Sequence, residues 1–227
     1  TIIMPMNIAF IPIRKGSKGI PMKNMKPLAG KPLTFWIVDT LLSSNFMDEI
    51  WLAVDCNEYA KLAHNRYVDK VKIYVRSDES ASDKASVMTV LGEFMRYRQP
   101  HDNDWICLFQ ATSPFTSVME IAKLVDLINE EVYDSIVACV RLKKFRWSDD
   151  WQPLDYDLKT KPRRQDFPGW LVESGAFYAS RVSNLKQSPY ILSGKVGIVE
   201  TGGASSIEID EVYDWAMAEG LANSLSR

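Results

Sequence analysis

Short apolar runs alternate with amphipathic stretches along most of this chain. The apolar runs are short and nearly uninterrupted, which predicts buried β-strands at residues 8–13, 50–54, 72–75, 105–109 and 135–140. Apolar residues at helical spacing predict helices that begin at Pro32, at a cap on Asn57, at a cap on Ser82 or Asp83, near Val118 and near Glu211. Strands that alternate with helices are typical of an α/β protein, in which helices cover both faces of a parallel sheet.

Polar clusters follow the first four predicted strands. They comprise residues 14–31, Asp55, residues 76–83 and residues 110–114. In open α/β sheets, ligands bind beyond the carboxyl ends of the strands. We therefore expect these four loops, which are distant in sequence, to converge on one crevice.

The first of these loops concentrates positive charge. Its cations are Arg14, Lys15, Lys18, Lys23, Lys26 and Lys31. No acidic residue precedes Asp39, although the chain has a formal net charge of −2. Gly16 and Gly19 let the backbone approach a ligand closely, so the loop suits a polyphosphate. The alternative is a solvated surface loop, which would usually mix charges of both signs.

Composition fits one compact domain over residues 1–227, with 46% hydrophobic and 25% charged residues. No apolar run approaches the roughly 18 to 20 residues of a membrane span, and residues 1–7 lack the pattern of a signal peptide. The three cysteines show no paired spacing, which favours reduced core residues. The chain has no long basic stripe, so nucleic acid is not expected as a partner. We expect a soluble cytoplasmic protein that contacts no membrane.

Two carboxylates lie close together near the end of the chain. Residues 206–210 alternate in polarity, which predicts a short strand with Glu208 and Asp210 on the same face. Beside a polyphosphate the two would repel each other unless a cation lay between them, which suggests Mg²⁺ or Mn²⁺. Alternatively, Asp210 caps the helix that begins near Glu211.

The loop at residues 14–31, called the phosphate loop below, has none of the common nucleotide-binding motifs. Pro32 follows Gly30 and Lys31, so the Walker pattern G-x-x-x-x-G-K-[ST] fails, and G-x-G-x-x-G is missing. From Arg14 the chain reads R-x-G-S-K-G-x-P-x-K-N-x-K-x-L-x-G-K-P-L. This spaced motif resembles the CMP-sugar synthetases, the cytidylyltransferases that activate sialic acids and related keto-sugars.

Further segments extend the resemblance. Residues 76–83 fit R-x-x-E-x-A-S-D, and residues 110–114 are similar to the family's Q-P-T-S-P turn. Residues 164–168 fit R-Q-x-x-P, and residues 174–178 resemble N-G-A-x-Y with Ser174 in place of asparagine. The family's D-x-D appears here with Glu208 in place of the first aspartate.

The resemblance implies a doubly wound, mostly parallel, Rossmann-like sheet of the nucleotide-diphospho-sugar transferase type. It implies transfer of CMP from CTP to a nine-carbon 2-keto acid sugar, such as N-acetylneuraminate or its deaminated form KDN, with release of pyrophosphate. Q-A-T-S at 110–113 resembles the neuraminate branch more than the Kdo branch, which has Q-G-D. The alternatives are a CMP-Kdo-type or other sugar nucleotidyltransferase and a non-catalytic CTP-binding protein.

The same resemblance assigns roles to single residues. It implies that CTP is bound by Arg14, Gly16, Ser17, Lys18, Asn24, Arg76, Ser80, Ala81 and Ser82. It implies that the sugar is bound by Gln110, Thr112, Ser113, Arg164, Gln165 and Ser174. Catalysis is assigned to Arg14, Lys23 and Asp210, and the metal to Asp210 with Glu208.

Residues 141–170 break the alternating pattern. They hold six aromatic residues and show no clear helical period. The segment is either a long active-site lid or a lobe that packs on a second subunit. The family places a dimerisation lobe here, so the resemblance implies a homodimer with this segment as an insertion.

Overall fold

A seven-stranded mixed sheet forms the centre of the computed structural model, which describes residues 4–17, 19–82 and 84–225. In chain order the strands are β1 (Asn7–Pro12), β2 (Pro27–Leu28), β3 (Lys31–Pro32), β4 (Glu49–Val54), β5 (Lys72–Val75), β6 (Trp105–Phe109), β7 (Ser135–Leu142), β8 (Trp170–Arg181) and β9 (Val196–Thr201). The α-helices are α1 (Leu33–Ser44), α2 (Asn57–Tyr67), α3 (Asp78–Ala81), α4 (Val87–Arg98), α5 (Val118–Asn129), α6 (Val182–Gln187) and α7 (Val212–Leu225). Short 3₁₀ turns occupy Lys23–Met25 and Gly203–Ser206.

The sheet confirms the predicted α/β class and its mostly parallel order. The strand order is β5-β4-β1-β6-β8-β7-β9, and β2 pairs with β3 in a separate two-stranded sheet. Strand β8 runs antiparallel to both β6 and β7, whereas the other strands of the large sheet share one direction. All five predicted strands are present, and those at residues 72–75 and 105–109 have the predicted bounds.

The pattern missed two strands of the sheet. The first half of β8 is exposed, so its sequence lacks the apolar run that marked the other strands. Strand β9 lies at the edge of the sheet and alternates buried with exposed residues. Both strands depend on pairing with β7, which residues distant in sequence provide.

The predicted helix caps were partly wrong. Helix α4 is capped by Ser86, whose Oγ accepts a hydrogen bond from the Thr89 amide at 3.1 Å, and not by Ser82. The other predicted cap, Asp83, lies outside the described residues, as does Lys18. Asn57 is the first residue of α2 and follows Cys56 in extended conformation, without a side-chain cap.

The predicted strand at residues 206–210 was also wrong. The 3₁₀ turn Gly203–Ser206 is followed by irregular backbone, because β9 already occupies the sheet edge. The Ile209 amide instead donates to the Thr112 carbonyl at 2.8 Å. The alternative role of Asp210 as a helix cap is not seen, since the amides of Asp210 and Glu211 donate to Asp214 before α7 begins at Val212.

Residues 143–169 connect β7 to β8 with little regular structure beyond one bridge between Trp147 and Pro153. Their aromatic rings pack on one another: Phe145 contacts Tyr156 and Phe167, with centroids 5.0 and 4.8 Å apart. These contacts make the segment a small aromatic cluster beside the sheet.

Apolar side chains are buried on both faces of the sheet, in two large clusters. A third cluster joins the phosphate loop to α7 through Ile20, Leu28, Ile209 and Trp215. Cys107 and Cys139 are buried free thiols, as expected, and Cys56 is half-buried. Among the described residues, no helix is long and apolar enough to cross a membrane.

Glu49 at the start of β4 has a carboxylate that binds two cations and an indole N–H. Its carboxylate accepts bonds from Arg98 Nε at 2.8 Å, Lys72 Nζ at 2.7 Å and Trp51 Nε1 at 2.7 Å. Burial alone would raise the pKa of this carboxyl, but the hydrogen bonds outweigh burial and lower the pKa to about 2.

We expect Glu49→Gln to lower the free energy of unfolding by about 2 kcal/mol at neutral pH, because it leaves Arg98 partly buried without its charge partner. A depressed pKa stabilises the fold above the unfolded value of 4.5, and this contribution disappears as pH falls toward about 2. Denaturant titrations at several pH values measure the difference. Glu58→Gln, which removes only the exposed pair with Lys15, is the control; equal losses for both variants would contradict the assignment.

Candidate active site

One cavity of about 370 Å³ opens beyond the carboxyl ends of β1, β5 and β6. Its lining includes Arg14, Gly16, Ser17, Lys23, Asn24, Arg76, Ser82, Gln110, Thr112, Glu208 and Asp210. Three of the four polar loops therefore converge as predicted. Asp55 does not line the cavity; its carboxylate instead accepts the Lys15 amide at 2.9 and 2.8 Å and so fixes the start of the phosphate loop.

The cations of the phosphate loop do not all face the cavity. Arg14 and Lys23 line the cavity, whereas Lys15 pairs with Glu58 and Lys31 pairs with Asp39. Lys26 lies over the ring of Trp215, 4.5 Å from its centroid. The local charge facing the cavity is therefore smaller than the sequence suggested and is confined to two side chains of the described loop.

Lys23 links the phosphate loop to the acidic segment. Its Nζ donates to the Ile209 carbonyl at 2.6 Å and to Asp210 Oδ1 at 3.0 Å. The Lys23 side chain is only 10% exposed, whereas that of Asp210 is 65% exposed. A buried ammonium held in this way is pre-oriented, and its third N–H is available to an acceptor in the cavity.

The shape of the loop depends on Asn24 and Gly19. Asn24 is buried, and its Nδ2 donates to the Arg14 carbonyl at 2.9 Å, while its own carbonyl accepts from Thr34 Oγ1 at 2.8 Å. A Cβ on Gly19 would lie 2.4 Å from the Asp210 carbonyl oxygen. The loop and the acidic segment therefore touch through their backbones at a position that only glycine can occupy without displacement.

Arg76 forms the opposite wall. Its Nη1 donates to the Ile13 carbonyl at 3.1 Å and its Nη2 to the Ser80 carbonyl, while Nε is buried without a partner in the described structure. Burial lowers the pKa of Arg76 and neighbouring Asp55 opposes that shift, so the guanidinium remains charged. Ser80 is buried and, like Ala81, does not line the cavity, whereas Ser82 does.

The turn after β6 supplies a third wall. The Gln110 amide pairs with the Ala176 carbonyl at 3.1 Å, which extends the pairing of β6 with β8 and fixes the turn. Gln110 and Thr112 line the cavity as predicted. Ser113 is fully buried, and its hydroxyl has no partner in the described structure, so it does not face the cavity opening.

Besides Ser113, three predicted sugar-binding residues lie outside the cavity lining. Arg164 is exposed and donates to the Lys143 carbonyl at 2.9 Å, and the Gln165 carbonyl accepts from Lys143 Nζ at 3.2 Å. Ser174 is buried, with its hydroxyl bonded to the Ala138 carbonyl at 3.3 Å. In this arrangement Ser174 stabilises the pairing of β7 with β8, and the three roles stay predictions.

Glu208 and Asp210 both line the cavity although they share no strand. Loss of solvent raises the pKa of Glu208, and the like charge of Asp210 raises it further. Gly175, at φ +73°, leaves room for the Glu208 carboxylate, which a Cβ there would meet at 2.7 Å. No group of three His, Cys, Asp or Glu side chains in the described ranges is arranged to hold a metal. Two mutually repelling carboxylates nonetheless fit a Mg²⁺ ion that takes its remaining ligands from phosphate and water.

The sequence pattern missed the apolar part of the cavity. Ala85, Val87 and Val90 line it at the start of α4. Periodicity indicates only that Val87 and Val90 lie on the apolar face of the helix predicted after residue 83, because it does not distinguish a residue facing a cavity from one facing the core.

The cleft lined by Arg14, Lys23 and Arg76 thus lies beyond the carboxyl ends of parallel strands in a mixed α/β sheet. A family model described as "Cytidylyltransferase" matches residues 8–157. The chain therefore belongs to the cytidylyltransferase family.

Relatives and solved structures agree with this family. The chain is 36% identical over 93% of its length to N-acylneuraminate cytidylyltransferase A of Danio rerio, and 33% identical over 93% to an N-acylneuraminate cytidylyltransferase of Oncorhynchus mykiss. It spans about half the length of these curated relatives, 49% of each.

Two solved structures share the fold. A CMP:2-keto-3-deoxy-manno-octonic acid synthetase complexed with CTP gives a TM-score of 0.70 at 17% identity, covering 96% of this chain and 99% of that one. A 4-diphosphocytidyl-2C-methyl-D-erythritol synthase from Anaerococcus prevotii gives 0.66 at 14% identity, covering 96% of each chain.

Proposed function

We propose that this protein transfers CMP from CTP to the anomeric hydroxyl of a nine-carbon 2-keto acid sugar and releases pyrophosphate. The observation that carries the proposal is a single cavity that joins Arg14 and Lys23 to Gln110 and to Asp210. The 36% identity to an N-acylneuraminate cytidylyltransferase over 93% of the chain supports N-acetylneuraminate, KDN or a relative as the acceptor.

CTP would lie across the cavity from the phosphate loop to α4. The triphosphate contacts Arg14, Lys23 and the backbone at Gly16 and Ser17, where cations and bare amides offer donors. The pyrimidine lies near Arg76 and Ser82 with its face on Val87, because those residues form the part of the lining that combines polar donors with apolar surface. The acceptor then enters beside Gln110 and Thr112.

In the reaction, the anomeric oxygen attacks the α-phosphorus and forms the new P–O bond. The bond from the α-phosphorus to the oxygen that bridges it to the β-phosphorus breaks, its electron pair leaves on pyrophosphate, and the hydroxyl proton passes to solvent. Lys23 and Arg14 stabilise the charge that develops on the phosphoryl oxygens, and the rigid loop aligns the reacting atoms. No protein nucleophile is needed.

Asp210 and Glu208 would hold Mg²⁺, or Mn²⁺ in its place. The ion would neutralise phosphate charge and polarise the phosphoryl oxygen when bound. Asp210 accepts a hydrogen bond from Lys23 as well. Its carboxylate therefore also keeps the Lys23 ammonium directed into the cavity.

The proposal includes a homodimer formed through residues 141–170. Exposed apolar side chains support it: Trp151 is 83% exposed, and Leu154 and Leu158 are also largely exposed. The mass in solution, measured by sedimentation, tests this. A cytoplasmic location is part of the same proposal and is supported by the requirement of the reaction for CTP.

The decisive experiment measures pyrophosphate release with Mg²⁺, CTP and each of N-acetylneuraminate, KDN and Kdo. We expect turnover with a nine-carbon acid, little with Kdo, and little when UTP replaces CTP. Turnover with Kdo alone would favour the CMP-Kdo alternative. CTP binding without pyrophosphate release in the presence of any of these acids would overturn the proposed acceptor and favour a non-catalytic CTP-binding protein.

A further inference from the structure

Glu120, in the first turn of α5, carries a buried carboxylate with three hydrogen-bond donors. It is 5% exposed, and its Oε2 accepts from the Ser117 amide at 2.8 Å and from Ser205 Oγ at 2.6 Å. Its Oε1 accepts from the Gly202 amide at 2.7 Å. In the described part of the chain, Glu120 forms no ion pair.

Only one of these bonds is explained by helix capping. Ser117 and Glu120 form a capping box, in which the glutamate accepts the amide of the cap residue. Burying a carboxylate without a cation is costly unless hydrogen bonds satisfy it. The hydrogen bonds from Gly202 and Ser205 satisfy the carboxylate and connect α5 to the segment that follows β9.

That segment leads directly to the two carboxylates of the cavity. Residues 202–211 belong to no strand. Their downstream half is held by the Ile209 amide on the Thr112 carbonyl and by Asp214, which accepts the amides of Asp210 and Glu211 at 3.0 and 2.8 Å. Glu120 holds the upstream half, because Gly202 and Ser205 both bind it.

Glu120 is also connected to the wall of the cavity formed by the turn after β6. Helix α5 follows the turn at residues 110–116, and Ser205 Oγ, whose single hydrogen is directed mainly to Glu120, also lies 3.2 Å from the Phe115 carbonyl oxygen in that turn. One carboxylate therefore links the turn that carries Gln110 to the segment that carries Glu208.

We propose that Glu120 is a positioning residue for the transfer reaction, which fixes the Glu208 and Asp210 carboxylates relative to Gln110 and Thr112. This inference rests on the proposed function. Glutamine at this position would present an NH₂ group to at least one of the three donors, so at least one of the three hydrogen bonds would be lost.

The test compares three variants that each remove part of this arrangement. Glu120→Gln and Ser205→Ala disturb the link to the acidic segment, whereas Ser117→Ala removes only the cap on the Glu120 amide. We expect the first two to lower kcat by on the order of 10- to 100-fold and to raise the half-saturating Mg²⁺ concentration, with KM for CTP nearly unchanged. Ser117→Ala should lower the unfolding midpoint while kcat and the Mg²⁺ requirement stay at the wild-type values.

Two readouts without turnover keep the test independent of the acceptor. Mn²⁺ binding is measured by the signal of the free ion in electron paramagnetic resonance, and amide exchange is followed across residues 202–211. Weaker Mn²⁺ binding and faster exchange in Glu120→Gln but not in Ser117→Ala support the positioning role even if the wild type turns over no tested sugar. Equal Mn²⁺ binding and equal amide exchange in Glu120→Gln and Ser117→Ala would overturn the positioning role, whatever the activity.

Discussion

Lys23→Met should lower kcat/KM for the proposed transfer by on the order of 10²- to 10³-fold, the loss expected when one pre-oriented donor to a developing phosphoryl charge is removed. The substitution keeps the volume of the side chain and removes only the ammonium that joins the Ile209 carbonyl to Asp210. Pyrophosphate release under saturating CTP measures the effect on kcat, and a CTP titration separates it from binding.

Lys26→Met is the matched control for this prediction. Lys26 lies in the same loop and carries the same charge, but its ammonium stacks on Trp215 and does not line the cavity. We expect its activity to remain within about twofold of the wild type, since an exposed cation–π contact is worth only about 0.5–1 kcal/mol of stability. If the two variants lost activity equally, general loop charge and not the position of Lys23 would govern catalysis.

Gly19→Ala should lower activity by on the order of 100-fold, because it separates the phosphate loop from the acidic segment. The new Cβ would lie 2.4 Å from the Asp210 carbonyl oxygen, a backbone atom that cannot rotate away. The loop must therefore shift, and Lys23 moves with it. We also expect the free energy of unfolding to fall by about 1–3 kcal/mol.

Gly220→Ala provides the comparison for that variant. Gly220 is exposed in α7, and nothing lies within 4 Å of a Cβ placed there. Alanine should raise the free energy of unfolding by up to about 1 kcal/mol without changing activity, since it improves helix propensity. Kinetics and denaturant titration on both variants measure these effects; normal activity in Gly19→Ala would show that the close contact with Asp210 is dispensable.

Sequence pattern predicted the regular part of the fold well. Strands β1, β4, β6 and β7 are largely buried, so their apolar runs were visible without knowledge of their partners. Strand β5 lies at a sheet edge with only Tyr74 buried, but its three consecutive apolar residues still marked it. Strand β8 begins with exposed residues, and β9 alternates at the sheet edge, so neither produced such a run. Their assignment depends on pairing with β7, which local sequence does not encode.

Local sequence likewise located some residues of the candidate site for the right structural reason and others not. Arg14, Lys23, Arg76 and Gln110 follow directly after strands or within the loop after β1, so the rule for open α/β sheets located them. The alternation argument for Glu208 and Asp210 failed because no strand forms there, yet both residues reach the cavity. Both residues therefore line the cavity without the strand that was expected to carry them, and their role as metal ligands stays a prediction.

The sequence by itself determined the α/β class, the phosphate loop and the strand ends at which polar residues gather, because these depend on local periodicity and on residue chemistry. Only the tertiary structure decided which cations face the cavity. Lys15 and Lys31 are neutralised by acids brought from other elements, whereas Lys23 is fixed by contacts with residues 186 and 187 positions away. Only the fold likewise brings Gly202 and Ser205 to Glu120, because a hydrogen bond across such a separation has no trace in local pattern.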